Sequence, residues 1–317
     1  MAEVKQGKVI KSTGKWYDIL LRNGKLVKAR IRGKIRLEGL RSTNPVAVGD
    51  EVYLQMEENN ETAVIHDIAP RKNYIVRKSI NLSKKTHIIA ANVDRAYLLV
   101  TLALPETHLA FIDRFLVAAE SFRIPVTLLF NKMDVYFEEH LPIIDEIISI
   151  YEPIGCPCRK ISALHKENID FLRKEIKGKQ VVIAGHSGTG KSTLVNALDA
   201  RLNLKTTKIS KRHLQGQHTT TFAEMYQLES GGFIIDTPGI KAFGVIDLEK
   251  DVISHYFPEM RAKIGKCRFH NCLHLNEPDC AVKKALENDD IAPSRYETYV
   301  SLMEEDQNES YRKDIYS

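Results

Sequence analysis

Residues 185–192 read Gly-His-Ser-Gly-Thr-Gly-Lys-Ser and satisfy the pattern G-x-x-x-x-G-K-[ST]. The run VVIA (181–184) precedes them, and STLVNALDA (192–200), with apolar residues at helical spacing, follows. This context demands a buried strand, a glycine-rich turn and a helix start, so the segment must belong to a layered α/β domain. The glycines Gly185, Gly188 and Gly190 let backbone N–H groups converge on phosphate oxygens at the helix N-terminus. Lys191 reaches the outer phosphates as a point charge, and Ser192 offers its hydroxyl to Mg²⁺. His186, Ser187, Thr189 and Thr193 complete the nucleotide-facing segment. A turn that only joined strand to helix would not require the lysine.

The rest of the middle of the chain agrees with an α/β domain. Compact apolar strands at 96–100, 126–130, 181–184 and 233–235 are separated by helical stretches, two of them at 108–122 and 137–151. Such alternation predicts a mostly parallel sheet covered on both faces. The segments 225–228 and 233–236, joined by Glu-Ser-Gly-Gly, predict an antiparallel hairpin at its edge.

Several of these strands end in chemistry. Asn131, Lys132 and Asp134 form N-K-x-D, the pattern by which a carboxylate accepts hydrogen bonds from the ring N–H and exocyclic amine of guanine. Adenine offers neither donor. A buried acceptor left unpaired is costly enough to reject the wrong base by roughly 10⁴-fold, which disfavours an ATPase or a kinase. Lys132 lies along the base, Asn131 ties this loop to the phosphate loop, and Ser162 and Ala163, followed by Leu164, supply backbone contacts to the base oxygen. Asp236 and Gly239, in D-T-P-G, place a carboxylate beside Mg²⁺ and an amide at the γ-phosphate. Between these motifs the segment 216–221 (GQHTTT) is positioned as a switch loop. Thr219 or Thr220 is the expected Mg²⁺ ligand, and position alone does not choose between them.

In ordinary GTPases the phosphate motifs precede the base motifs. Here the order is reversed, so the domain reads as circularly permuted. The segment after Gly239 is thereby tied directly to the C-terminal part of the chain. Where many GTPases carry Gln after D-x-x-G to orient the attacking water, this chain has Ile240. His218 is the candidate to replace it, since a neutral imidazole can orient water or accept a proton near pH 7. Gly188 stands where some related GTPases place an asparagine for a monovalent cation.

The first 70 residues read as five short strands, 7–11, 16–21, 26–32, 51–56 and 63–68, with Asn23-Gly24 as a hairpin signal. An OB-type barrel fits, and an SH3-like barrel fits almost as well. The net charge of +5 hides an uneven distribution. Residues 1–41 hold twelve Lys/Arg against Glu3, Asp18 and Glu38, and 71–85 add six basic groups and no acid. Residues 287–317 carry nine acidic against three basic side chains. The basic front suits a polyanion such as nucleic acid; as a solvated face it would need no partner. The longest apolar stretch is ended by Pro105, far short of a membrane span. No secretory h-region opens the chain, so a reducing cytoplasm is expected and disulfides are not.

Three of the five cysteines, Cys267, Cys272 and Cys280, fall within 14 residues. With a histidine, either His274 or His270, they form a Cys₃His set suited to a closed, tetrahedral, structural Zn²⁺ site. Cys156 and Cys158 are left as free thiols. No helical segment carries a heptad seam, so a monomer is expected.

The barrel, the permuted motifs, the stretch 218–221 (HTTT), the spacing C-x4-C-x-H-x5-C and the segment 294–299 (SRYETY) together resemble the ribosome small subunit-dependent GTPases, the RsgA family. The resemblance covers nearly the whole chain. It selects His274 over His270 as the zinc ligand. It implies a GTPase that binds the small (30S) ribosomal subunit and its rRNA through the barrel and the zinc domain, acts late in that subunit's maturation, and is stimulated by it. The expected organisation is an OB-type barrel over 1–70, a permuted P-loop GTPase domain over 71–245 that begins with a basic linker at 71–85, and a mostly helical zinc-binding domain over 246–317. The competing reading is an RNA-binding protein whose nucleotide domain senses GTP or GDP without turnover.

Overall fold

A computed structural model of the chain describes residues 4–31, 45–57, 61–78, 86–204, 223–236 and 248–305. The first five strands are β1 (Val4–Ser12), β2 (Tyr17–Leu21), β3 (Leu26–Ile31), β4 (Glu51–Met56) and β5 (Thr62–Ile68). They close a ring: β1 pairs β2, β2 pairs β3, β3 pairs β5 in parallel, β5 pairs β4, and β4 returns to β1. Because β5 lies between β3 and β4, the barrel is of the OB type rather than an SH3-like one. β1 pairs with β2 along one edge and with β4 and then β12 along the other, and its register with β2 shifts between Val9 and Lys11, a bulge that bends the strand where it leaves the barrel. Alternation does the rest, since Ile19, Val27, Ala29, Leu54 and Ile65 point inward to one apolar core.

The expected basic linker, 71–85, instead contains β6 (Tyr74–Lys78), which pairs antiparallel with β7 (Thr86–Ala91). The pair is fastened to the barrel through Arg71. Its guanidinium donates to both oxygens of the fully buried Asp50, each at 2.6 Å, and to the Pro45 carbonyl.

The central sheet comprises β8 (Arg95–Val100), β9 (Val126–Phe130), β10 (Cys158–Lys160), β11 (Gln180–Ala184), β12 (Glu224–Gln227) and β13 (Phe233–Asp236). Their spatial order is β10-β9-β8-β11-β13-β12, parallel except for the last strand. β11 follows the first three strands in sequence yet inserts beside β8, as the permuted motif order requires. Ala96, Leu98 and Val100 pack on α1 (Leu109–Ser121) and α2 (Leu141–Tyr151) on one face. Tyr97 and Leu99 pack on α3 (Asp170–Ile176) and α4 (Lys191–Leu198) on the other. Burial on both faces explains why these strands are continuously apolar. β12 is not a free edge, because Glu224 pairs with Lys11 of β1 and the two side chains form an ion pair at 3.0 Å.

The C-terminal part holds α5 (Pro258–Arg261), α6 (Ala281–Glu287) and α7 (Pro293–Glu304), packed with Phe257 around Tyr299 and Leu302. It docks on α1 through a buried polar network. Arg295 of α7, 1% exposed, bonds Asp113 of α1 at 3.0 Å and grips the Glu259 carboxylate of α5 with two nitrogens. Tyr151 and Thr298 donate to the remaining capacity of Asp113, each at 2.8 Å. Removing one partner strands the others in a low-dielectric interior. Arg295→Ala is therefore expected to cost about 3–5 kcal/mol, read as a fall in the urea midpoint, and an unchanged midpoint would show that the network bears no weight. No helix among the described residues is long and apolar enough to cross a membrane.

Candidate functional site

Parallel α/β sheets present ligands at the carboxyl ends of their strands, where loops diverge. Four such loops meet here, after β8, β9, β10 and β11. The loop from β11 into α4 is the phosphate motif. Gly185 has φ +140°, and a Cβ there would sit 2.8 Å from the Thr189 hydroxyl and 2.9 Å from the Leu99 carbonyl. Gly190 has φ +101°, and a Cβ there would meet the Asn131 amide nitrogen at 2.4 Å. Only glycine satisfies both the backbone conformation and the space. Thr189, fully buried, donates its hydroxyl to the His186 carbonyl at 2.9 Å and holds the loop closed. Lys191 folds over the same loop, donating to the carbonyls of Gly185 (2.7 Å) and His186 (2.6 Å). Its charge thus lies at the mouth of the loop, where a phosphate is a stronger acceptor than a neutral carbonyl.

Asn131, 2% exposed, is the joint of the site. Its Nδ2 donates to the Thr189 carbonyl at 2.8 Å, and its Oδ1 accepts from the Ala163 N–H at 2.9 Å. One side chain thereby fixes the loops after β9, β10 and β11 to each other. Ser162, buried, donates its hydroxyl to Asp134 and accepts from the His165 N–H at 3.1 Å. Lys132 sits in the left-handed region (φ 69°), and its ammonium donates to the Leu104 carbonyl. Burial lowers the pKa of Lys132, opposed by the attraction of Asp134. Asp236 closes β13, one strand from β11 at the same end of the sheet. His218, Thr219, Thr220 and Gly239 lie outside the described residues.

Sequence reasoning passed over the loop after β8. Pro105 would lie 3.2 Å from a Cβ at Gly188, Leu104 holds Lys132, and Phe111 of α1 stacks on His186 with centroids 3.9 Å apart. The loop carries no motif. Its signal was topological, because β8 lies between β9 and β11 and its carboxyl end must open onto the same crevice.

The second cluster is Cys267, Cys272, His274 and Cys280, whose ligand atoms all lie within 4.8 Å of one another. His274 Nδ1 is 3.6 Å from Cys267 Sγ and 3.4 Å from Cys280 Sγ, and those two sulfurs are 4.0 Å apart. Edges of roughly 3.5–3.8 Å are what a tetrahedron with metal–sulfur bonds of ~2.3 Å and metal–nitrogen bonds of ~2.0 Å has. The four groups can hold a metal ion. Burial lowers the pKa of His274, against the pull of Glu277, and so favours the neutral imidazole, the ligating form. Around it, the Ala281 N–H donates to Cys267 Sγ at 3.4 Å, and the Tyr296 hydroxyl donates to the His274 carbonyl at 2.7 Å. His270 is exposed and outside the cluster.

Comparison with known proteins covers both halves of this architecture. Residues 68–246 match the RsgA GTPase family, and residues 6–65 match the RsgA N-terminal domain. The small ribosomal subunit biogenesis GTPase RsgA of Bacteroides fragilis strain YCH46 is 52% identical over 97% of this chain and 99% of its own length. Its counterpart in Christiangramia forsetii is 52% identical over 98% and 99%. The crystal structure of YjeQ from Thermotoga maritima superposes with a TM-score of 0.77 at 34% identity, covering 95% of this chain and 98% of that one. YloQ, described as a circularly permuted GTPase, gives 0.73 at 29% identity, covering 99% and 98%. With both segments matched, and half of all positions shared with relatives of the same length, the chain belongs to the RsgA GTPase family.

Proposed function

We propose that this protein hydrolyses GTP as a switch in the biogenesis of the small ribosomal subunit, the process for which its relatives are named. The observation that carries the reading is the pair of hydrogen bonds of Asn131, which locks a guanine-type base loop to a phosphate loop. Asp134 accepts from the guanine edge, with Ser162 holding it in place, and the Ala163 N–H, which donates to Asn131, is shared with the base oxygen. Lys132 lies along the base. Residues 185–193 cradle the phosphates, with Lys191 leaving the loop carbonyls for the outer phosphates. Ser192, Asp236 and one of Thr219 and Thr220 offer the oxygen ligands that suit Mg²⁺, whose charge would offset that of the phosphates. Gly239 senses the γ-phosphate.

In the chemical step water attacks the γ-phosphorus, the bond to the β-phosphate oxygen breaks, and GDP and phosphate leave. Ile240 cannot place that water, so His218 does. His218→Ala is expected to keep GTP affinity and lower subunit-stimulated turnover about 10²-fold or more; unchanged turnover removes the residue from the mechanism. The Cys₃His cluster holds one structural Zn²⁺, leaving no open position for substrate. The protein works as a cytoplasmic monomer, with the basic barrel and the C-terminal part against rRNA of the 30S particle. Turnover measured with and without isolated small subunits tests the reading as a whole.

A further inference from the structure

The only tryptophan of the chain stands on the outside of the barrel. Trp16 lies in the turn between β1 and β2 and is 40% exposed. The turn is built, not loose: the Thr13 N–H and hydroxyl both donate to the Trp16 carbonyl, at 2.9 and 3.0 Å. Arg30 of β3 sets its guanidinium 6.0 Å from the indole centroid and binds Glu57 at 2.7 Å on its other side. A ring this apolar, held against a cation and left open to water, is a platform rather than a core residue.

Its surroundings are cationic. On β3, Val27 and Ala29 point into the barrel, so Lys28 and Arg30 share the outer face roughly 6–7 Å apart. Lys15 flanks the indole, and Arg22 and Lys25 are exposed at the far end of the β2–β3 hairpin. Among the described residues Lys15, Arg22, Lys25 and Lys28 have no ion-pair partner, and Asp18, opposite Lys28, is the one acid of β2. Free cations beside a single open π-face match a polymer that alternates phosphates with flat rings. They suit a bilayer poorly, because one indole and Leu26 offer little apolar area for insertion.

We propose that Trp16 stacks on an unpaired base of an RNA strand, while Lys28, Arg30 and the hairpin-end cations follow the phosphates of that strand. This deepens, and rests on, the reading of the protein as a GTPase that binds the small ribosomal subunit. Five-stranded OB barrels bind oligonucleotides across the face of strands 2 and 3 and the adjoining loops, which is where these residues lie.

Because Trp16 is alone, its fluorescence reports the site directly. The full-length protein should be titrated with a single-stranded RNA hexanucleotide, and with inorganic polyphosphate as a polyanion that lacks bases. RNA should quench the emission and polyphosphate should not. Trp16→Ala should weaken RNA binding about tenfold or more, Trp16→Phe should restore most of it, and polyphosphate binding should not change. Unaltered emission on RNA binding, or equal affinities for wild type and Trp16→Ala, would overturn the stacking proposal. Quenching by anionic lipid vesicles and not by RNA would overturn it in favour of a membrane. Co-sedimentation of the wild type with small ribosomal subunits separates this failure from that of the parent reading, which falls if no association occurs.

Discussion

Asp134→Asn should abolish GTP binding at concentrations that saturate the wild type. Guanine presents a ring N–H and an exocyclic amine side by side, and a carboxylate accepts from both. Asparagine keeps one acceptor and turns an NH₂ group toward a donor, so a buried polar clash replaces a hydrogen bond. The loss should reach roughly 10³- to 10⁴-fold in affinity. Xanthosine triphosphate, which carries a carbonyl in place of the exocyclic amine, should gain affinity in the same variant. The fold should survive, since the Ser162 hydroxyl that donates to Asp134 can donate equally to the amide oxygen. Equilibrium titration with both nucleotides, alongside a melting curve, checks the exchange. Wild-type GTP affinity in the variant would mean that the base is read elsewhere.

Removal of the metal should have the second large effect, and a local one. Metal binding to structural zinc sites is worth about 10–16 kcal/mol in zinc-finger peptides, comparable to the whole stability of an ordinary domain. Here the segment carrying the ligands, from Cys267 to Cys280, is mostly exposed, and only the ligands His274 and Cys280 within it are buried. Chelation, or Cys272→Ser, should therefore raise amide hydrogen exchange in residues 267–281 by about 10³-fold or more. The barrel and the central sheet have cores of their own and should keep both their protection and GTP binding. Metal analysis of the intact protein should find close to one zinc per chain. A stably protected segment in metal-free protein would contradict the structural role.

Much of this was readable from local pattern. The continuous apolar strands, the glycines at 185 and 190 and the clustered cysteines each follow from a short-range constraint, namely burial on both faces, close backbone approach or ligand spacing. The hairpin of β12 and β13 is antiparallel as expected, but it is not an edge, because β12 continues into β1 of the barrel through Lys11 and Glu224. What escaped depends on contacts between distant segments. The stretch 71–85 reads as a linker because β6 has no alternation to show: Ile75 and Val76 are both buried, the register shifts between them, and the partner strand β7 begins only at Thr86. Asp113 sits amid the apolar residues of α1, and nothing near it in sequence names Arg295, 182 positions away, as its partner. The choice between OB-type and SH3-like barrels rested on whether β5 enters between β3 and β4, which strand count cannot reveal.

Turnover of GTP by the joined loops should respond to the small ribosomal subunit. The direct measurement is steady-state hydrolysis by the purified protein, alone and with isolated small subunits, with ATP as the control nucleotide. The protein alone should turn over slowly, because an unplaced water leaves the transition state unsupported. The subunit should strongly stimulate turnover of GTP and not of ATP. Equal slow rates with and without the subunit, despite tight GTP binding, would contradict the switch and leave a nucleotide sensor in its place.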